Sequence, residues 1–379
     1  MRIVVNTRLL LPGKLEGIGW FMHETLRRIV TAHPEHEFIF LFDRPFDERF
    51  IYAPNVRGVV MGPPTRHPLL YRIWFDLLLP RKLKALKADA FISPDGFLAL
   101  KSTVPTLAVL HDINFEHYPE DMPRAYANYY RSYFPRFARH ATRLATVSEY
   151  SRRDIARTYG LNEDRIDVVY NGVGEVFRPL TPAEKEAARK RWTGGHPYFT
   201  CIGSLNPRKN IARLLAAFDQ LLTQHPGELR LLIVGERMWW DDRMKEAWEH
   251  MRHKERVIFT GRLEQVDLHQ ALGGTEGLAF VSYFEGFGIP VAEAMRCGVP
   301  VVAADATSVP EVAGDAGHYC DPFSVADIAR ALHDVASDPA LRERLSAVGV
   351  RRSQRFSWDL AANDLWRSFE RMCADAGVW

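Results

Sequence analysis

Glu285-Gly286-Phe287-Gly288-Ile289-Pro290-Val291-Ala292-Glu293 sets two acids eight positions apart, the first opening a glycine-rich turn and the second on the first turns of a helix. Apolar Val281 precedes the turn, and Cys297-Gly298-Val299-Pro300-Val301-Val302 begins a further strand beyond the helix. A strand, a turn of small residues and a helix N-terminus make an anion site: glycine lets a ligand approach the backbone, and the terminal amides face negative charge. Phosphate alone has no use for carboxylates, which repel it. Hydroxyl groups do, because a carboxylate accepts several hydrogen bonds. A site holding both features suits a phosphorylated sugar.

The rest of the chain must position these groups. Its 379 residues, 47% of them apolar, are enough for two ordinary domains with large cores and argue against disorder. The formal net charge of +2 argues against nucleic acid as the main partner. Residues 1–178 carry 25 Lys and Arg against 20 Asp and Glu, which suits an anionic acceptor or membrane surface as well as it suits ordinary solvated charge. Cys201, Cys297, Cys320 and Cys373 are far apart and form no metal-binding spacing, as expected of free thiols in a reducing cytoplasm. Met1–Asn6 reads as a strand and not as a signal peptide. No apolar run approaches the ~20 residues that span a bilayer, so any membrane contact is expected to be peripheral.

Short apolar runs alternate with helical stretches in both halves, the pattern of parallel sheets covered on both faces. Ile3–Val5, Phe38–Phe42, Val56–Val60, Ala90–Ile92, Thr106–Leu110, Leu144–Val147 and Ile166–Val169 read as strands in the first half. Tyr198–Ile202, Leu229–Val234, Val257–Thr260, Gly277–Val281 and Val299–Ala303 read so in the second. The fold class is α/β, with two doubly wound, Rossmann-like domains in tandem. Prolines 179 and 182 mark the linker, giving domains 1–178 and 179–356 and a last helix within 357–379. Ligands in such sheets bind beyond the carboxyl ends of the strands, so the residues just after each strand are the ones to weigh.

The acid pair in its full setting, with the small-residue helix and Cys297–Val302 behind it, resembles the retaining GT-B glycosyltransferases of family 4. The likeness covers nearly the whole chain. It implies two domains facing a central cleft, the first for acceptor and the second for donor, with the last helix crossing back onto the first. It implies transfer of a hexose from a nucleoside-diphosphate sugar. By this resemblance Glu285 lies near the donor sugar and Glu293 accepts the ribose hydroxyls. Gly286, Phe287, Gly288 and Ile289 then expose backbone amides to sugar and phosphate. His111, after the fifth apolar run, matches the family histidine that contacts the donor sugar, and Gly17 and Gly19 match its diphosphate-facing loop. Lys209 falls on the family's diphosphate-clamping lysine. The family arginine falls on Ser204, a departure for which Arg208 is the available substitute. Gly261 and Arg262 occupy the turn beside the nucleotide base.

No Asp-x-Asp triplet occurs, and a diphosphate's charge is offset by two cations and a helix terminus. Metal-independent transfer without any cofactor is therefore expected. The likeness within the family is to bacterial enzymes of lipopolysaccharide or capsule assembly, with mannose as the expected sugar and a glycan or lipid-linked acceptor. The expected location is cytoplasmic, with the basic, aromatic stretch 124–143 as a candidate for peripheral contact with the inner membrane face, although packing of its aromatics into the core is the reading that the pattern favours. Trp239-Trp240 reads as a hydrophobic cover. Two alternatives stay open: a nucleotide-sugar epimerase on the same architecture, and a non-catalytic nucleotide-sugar binder, which the Ser204 departure keeps in view.

Overall fold

The computed structural model describes residues 1–236 and 240–378, and divides them into two compact units: Met1–Gly172 with Trp358–Trp379, and Val173–Ser357. Among the described residues the first unit holds a seven-stranded, all-parallel sheet. Its strands are β1 (Arg2–Asn6), β2 (Glu37–Phe42), β3 (Val56–Val60), β4 (Ala90–Ser93), β5 (Thr106–Val109), β6 (Arg143–Thr146) and β7 (Ile166–Val168), in the order β3-β2-β1-β4-β5-β6-β7. The second unit holds six: β8 (Tyr198–Ile202), β9 (Arg230–Val234), β10 (Val257–Gly261), β11 (Gly277–Phe280), β12 (Val301–Ala304) and β13 (Gly317–Cys320), in the order β10-β9-β8-β11-β12-β13. Both orders reverse once, at β1/β4 and at β8/β11, which marks each as doubly wound. Strands such as Phe38–Leu41 and Leu231–Ile233 are fully buried, as expected of parallel sheets covered on both faces.

Several expectations are corrected. β13 is a strand that the sequence pattern does not announce, because Gly-His-Tyr-Cys lacks an aliphatic run. The first helix begins at Gly17, so the Gly17–Gly19 pair is its first turn and not a preceding loop. Gly19 is required there by close packing: a Cβ would stand 3.1 Å from the Leu9 carbonyl and 3.2 Å from a Leu15 methyl. The division between units falls at Gly172/Val173, six residues ahead of the linker read from the prolines. Phe177 and Leu180 explain this, since both bury with the second unit, Leu180 against Gly273 and Phe177 edge-on to His269 at 6.0 Å.

The last helix, Trp358–Ala376, belongs to the first unit. Trp358, Leu365, Trp366 and Phe369 bury against it, and His33 stacks on Trp366 at 3.7 Å. Arg143 reaches Asp167 at 2.5 Å and Asp375 at 3.0 Å, tying this helix to β6 and β7. In the helix Arg124–His140, Tyr129, Tyr133, Phe134 and Phe137 face the first core, so its aromatic residues are not a membrane-facing surface. All four cysteines are buried free thiols. Trp240 is half-buried, edge-on to Phe259 at 5.8 Å; Trp239 lies outside the described residues.

Candidate functional site

In the second unit, the loops after β8 and β11 meet at the point where the strand order reverses, and Arg208, Lys209 and Glu285 converge there. Pro207–Lys209 forms a single turn of 3-10 helix after β8, ended by Asn210 at φ +61°. The Asn210 amide donates to the Val281 carbonyl at 2.9 Å and to the Pro322 carbonyl at 2.6 Å, which locks the turn against β11. Arg208 and Lys209 are thereby held side by side over Glu285. Lys209 Nζ donates to Glu285 Oε1 at 2.6 Å, and Arg208 donates to Oε2 at 2.7 Å and to the Phe284 carbonyl at 3.1 Å. Lys209 and Glu285 are both buried.

Two cations thus converge on one carboxylate. Burial alone would raise the Glu285 pKa, but Arg208 and Lys209 overcome it and hold the carboxyl down at about 2. Burial lowers the Lys209 pKa, against the pull of Glu285. The Glu285 backbone is fixed as well: its N–H donates to Thr307 Oγ1 at 3.1 Å, and Ser308 Oγ donates to its carbonyl at 2.9 Å. Thr307 adopts φ +54°, a costly conformation for a β-branched residue, held by its place against Glu285.

Gly288 caps the helix Ile289–Arg296 at φ +96°, and no side chain fills the N-cap. The amide end of this helix is the anion-favouring terminus expected from sequence. Glu293, on the second turn, is buried, and its carboxylate has no hydrogen-bond or ion-pair partner among the described residues. Burial pushes its pKa up to about 8. The two acids of the pair are therefore unlike: Glu285 is a fixed anion, whereas Glu293 is a buried carboxyl in want of a partner. Phe287 packs edge-on to Phe356 at 5.4 Å and supports the turn from below.

The glycine edge of the site was only partly foreseen. Gly203 and Gly235 follow β8 and β9, and Gly261 ends β10, all at positive φ (+140°, +150° and +70°). Gly203 N–H donates to the Val234 carbonyl and Gly235 N–H to the Gly261 carbonyl, each at 2.9 Å. A Cβ on Gly235 would lie 2.0 Å from the Gly203 oxygen, and one on Gly203 would lie 2.8 Å from the Lys209 side chain. Ser204 and half-buried Arg262 follow on this edge. Gly203, Gly235, Asn210, Thr307 and Ser308 are site-building residues that motif reading passed over. A glycine just after each of three successive strands is the signal that could have found the first two.

Gly17, Gly19 and His111 belong to the first unit. His111 Nε2 donates to the Pro94 carbonyl at 2.8 Å, which leaves Nδ1 as the acceptor, and Phe21 meets the ring edge-on at 5.0 Å. Burial lowers its pKa, so the imidazole is neutral at pH 7. Asp112 accepts from the Asn114 N–H at 3.0 Å and shapes the loop. Of metal-binding side chains, one group comes together among the described residues, His33, Glu35 and His36, in the first unit. His36 Nδ1 faces the Met1 amine at 3.2 Å, which favours the tautomer whose Nε2 carries the proton and is closed to a metal.

Comparison with known proteins identifies the family. Residues 182–351 match the family described as Glycosyl transferases group 1, and residues 15–175 match Glycosyltransferase Family 4. The chain is 30% identical over 362 residues to the O-antigen chain mannosyltransferase B of Escherichia coli, covering 91% of this chain and 93% of that one. The protein belongs to glycosyltransferase family 4. It is a glycosyltransferase of GT-B fold. Sucrose-phosphate synthase from Thermosynechococcus elongatus superposes with a TM-score of 0.78 at 17% identity, over 98% of this chain and 99% of that one. HepE of Anabaena, solved in complex with UDP-glucose, superposes with a TM-score of 0.76 at 20% identity, over 98% of this chain and 100% of that one.

Proposed function

We propose that this family 4 enzyme transfers a hexose, mannose by its kinship to the O-antigen mannosyltransferase, from a nucleoside-diphosphate sugar to a glycan or lipid-linked acceptor. The setting is synthesis of a bacterial surface polysaccharide at the cytoplasmic face of the membrane. The observation that carries the reading is the Arg208–Glu285–Lys209 cluster, two cations on one buried carboxylate, beside a glycine edge and a helix terminus with no side-chain cap. Arg208 supplies the cation missing at Ser204.

In this mechanism the bond between the sugar anomeric carbon and the diphosphate oxygen breaks as the acceptor hydroxyl attacks from the same face. Configuration is retained, and the acceptor proton passes to a diphosphate oxygen. Arg208, Lys209 and the amides 286–289 take up the charge of the leaving group without a metal ion. Glu285, ionised throughout the physiological range, supplies negative charge to an oxocarbenium-like sugar. Glu293 accepts the ribose hydroxyls, which satisfies a carboxyl that otherwise lacks partners. Neutral His111 holds a donor-sugar hydroxyl from the first unit, and the Gly17–Gly19 turn offers amides to the diphosphate.

A panel of nucleoside-diphosphate sugars, assayed with and without acceptor extract and with EDTA, tests this. Acceptor-dependent release of one nucleoside diphosphate, unchanged by EDTA, is expected. An isomerised donor without any acceptor requirement would mark an epimerase instead. Tight nucleotide binding without turnover in the presence of acceptor would mark a binder.

A further inference from the structure

The outward side of the helical stretch 68–85 is apolar where a surface helix is ordinarily polar. Its inner side, Tyr71, Trp74, Phe75, Leu79 and Leu83, fills the first core. On the opposite side Leu69 and Leu77 are 59% and 44% exposed, with half-buried Ile73 between them at four-residue spacing. Scattered single leucines on a surface are normal, but a helix apolar on both sides is expected to be covered on both.

The charge around this stripe points to what covers it. The same side continues into exposed Arg81 and Lys84, exposed Arg72 lies within the stretch, and exposed Arg66 and Lys87 flank it. Residues 66–87 contain six Lys or Arg against one acid, Asp76, which accepts a hydrogen bond from the Tyr133 hydroxyl at 3.0 Å. The neighbouring helix Arg124–His140 is joined here by Arg72 donating to the Tyr133 hydroxyl at 2.9 Å. It adds exposed Arg136, whose guanidinium lies over the Tyr133 ring at 5.0 Å. Aliphatic side chains in a row, bordered by long cations, fit the boundary between acyl chains and anionic headgroups.

We propose that this face of the first unit docks on an anionic phospholipid surface, with Leu69, Ile73 and Leu77 entering at headgroup depth and Arg72, Arg81 and Lys84 meeting lipid phosphates. It extends the membrane-side placement in the proposed function and replaces the 124–143 aromatics as the contact. It does not depend on which sugar the donor site takes.

The full-length protein is sedimented with phosphatidylcholine vesicles and with mixed phosphatidylcholine–phosphatidylglycerol vesicles, at low and high salt. Partition onto the mixed vesicles, weakening with salt, is expected. Each cation near such a surface is worth about fivefold, so Arg81→Glu with Lys84→Glu lowers partition by about tenfold or more. Leu69→Glu with Leu77→Glu lowers it comparably. Both pairs are exposed, and circular dichroism confirms folding. Val266→Glu, at a 61% exposed position of the second unit, leaves partition unchanged. No preference for the anionic vesicles, unchanged partition of the leucine variant, or an equal loss in Val266→Glu overturns the proposal. So does retention on heparin without vesicle binding, which would assign the face to a soluble polyanion. Nucleoside-diphosphate binding, measured by calorimetry without vesicles, reads the second unit alone. Its absence alongside intact vesicle binding would count against the donor reading and not against this one.

Discussion

Each sheet carries a buried cation–carboxylate cluster where its strand order reverses, and the two are built to opposite ends. At β1/β4, Arg8 Nε meets Asp95 Oδ2 at 2.6 Å, and the Asn6 amide donates to Asp95 Oδ1 at 2.7 Å. Tyr71, Phe75 and Phe97 close around the guanidinium at 5.3, 5.7 and 4.3 Å. One cation meets one anion, and both carboxylate oxygens are used. At β8/β11, two cations share Glu285. The strands there run into Gly203, Gly235 and Gly261, whereas β1, β4 and β5 are followed by Thr7, Pro94 and Leu110. A balanced pair sealed by aromatic rings has no capacity left and serves as scaffold. Two cations on one carboxylate beside bare backbone are placed to meet an anion. Buried charge by itself marks neither; its balance and the side chains around it do.

The scaffold cluster gives the largest expected effect. Asp95→Asn leaves Arg8 buried without its counter-charge, at a cost of about 3–5 kcal/mol, read as a lower midpoint in urea or thermal unfolding. Nucleoside diphosphate should give this variant no more stabilisation than it gives the wild type. An unchanged midpoint would break the comparison at its first term. Glu285→Gln tests the other cluster. Transfer should fall by about 10²–10³-fold, or about 3–4 kcal/mol of transition-state stabilisation. Nucleoside-diphosphate affinity should hold or rise, because Arg208 and Lys209 lose the group that neutralises them. Wild-type turnover, or affinity collapsing together with rate, would show that Glu285 is scaffold as well.

How much of this was legible depended on whether a feature is local. The strands were, because buried parallel strands read as continuous apolar runs such as Phe38-Ile39-Phe40-Leu41-Phe42. The last helix was, because Trp358, Leu365, Trp366 and Phe369 repeat at helical spacing. Within the site, Glu285, Glu293 and Lys209 carried their motif with them. The direction of Arg208 did not follow from sequence, since it is set by the Asn210 hydrogen bonds to Val281 and Pro322 across three loops. Nor did the work of Thr307 and Ser308, which lie more than twenty residues from the Glu285 backbone they hold. The unit that Phe177 and Leu180 join was not legible, because prolines mark a break in local structure while these two residues choose a core only in three dimensions. The unlike protonation of the two glutamates was also invisible, for it is a consequence of neighbours and burial.

The glycine edge sharpens the comparison at a smaller scale. Gly235→Ala forces a methyl to 2.0 Å from the Gly203 oxygen, where only backbone can give way. It should cost about 1–3 kcal/mol of stability and weaken donor affinity by about tenfold, since Gly203 and Lys209 move with it. Gly160→Ala, at φ +64° with no atom within 4 Å of the new methyl, is the reference, and pays only the left-handed penalty of about 1 kcal/mol. Equal effects of the two, in unfolding and in calorimetry, would mean that the edge is an ordinary set of turns.

The smallest effect separates the two acids of the pair. Glu293, with its pKa raised to about 8, is largely protonated in the free protein at pH 7 and accepts from both ribose hydroxyls at once only as the carboxylate, so two-hydroxyl binding of the donor is coupled to release of a proton. Donor affinity should then rise with pH by at most about tenfold per unit up to about 8 and level off above it. Stability runs the other way. The folded pKa lies above the ordinary 4.5, so the stabilising contribution of the protonated acid is complete below about 4.5 and is lost as pH rises through about 8. Glu293→Gln should therefore flatten the affinity profile, and should raise the unfolding midpoint at pH 8 more than at pH 4 or so. Glu285, held at about 2, contributes no slope in this window. A donor-affinity profile that stays pH-dependent in Glu293→Gln would place the titrating group elsewhere and remove Glu293 from the ribose.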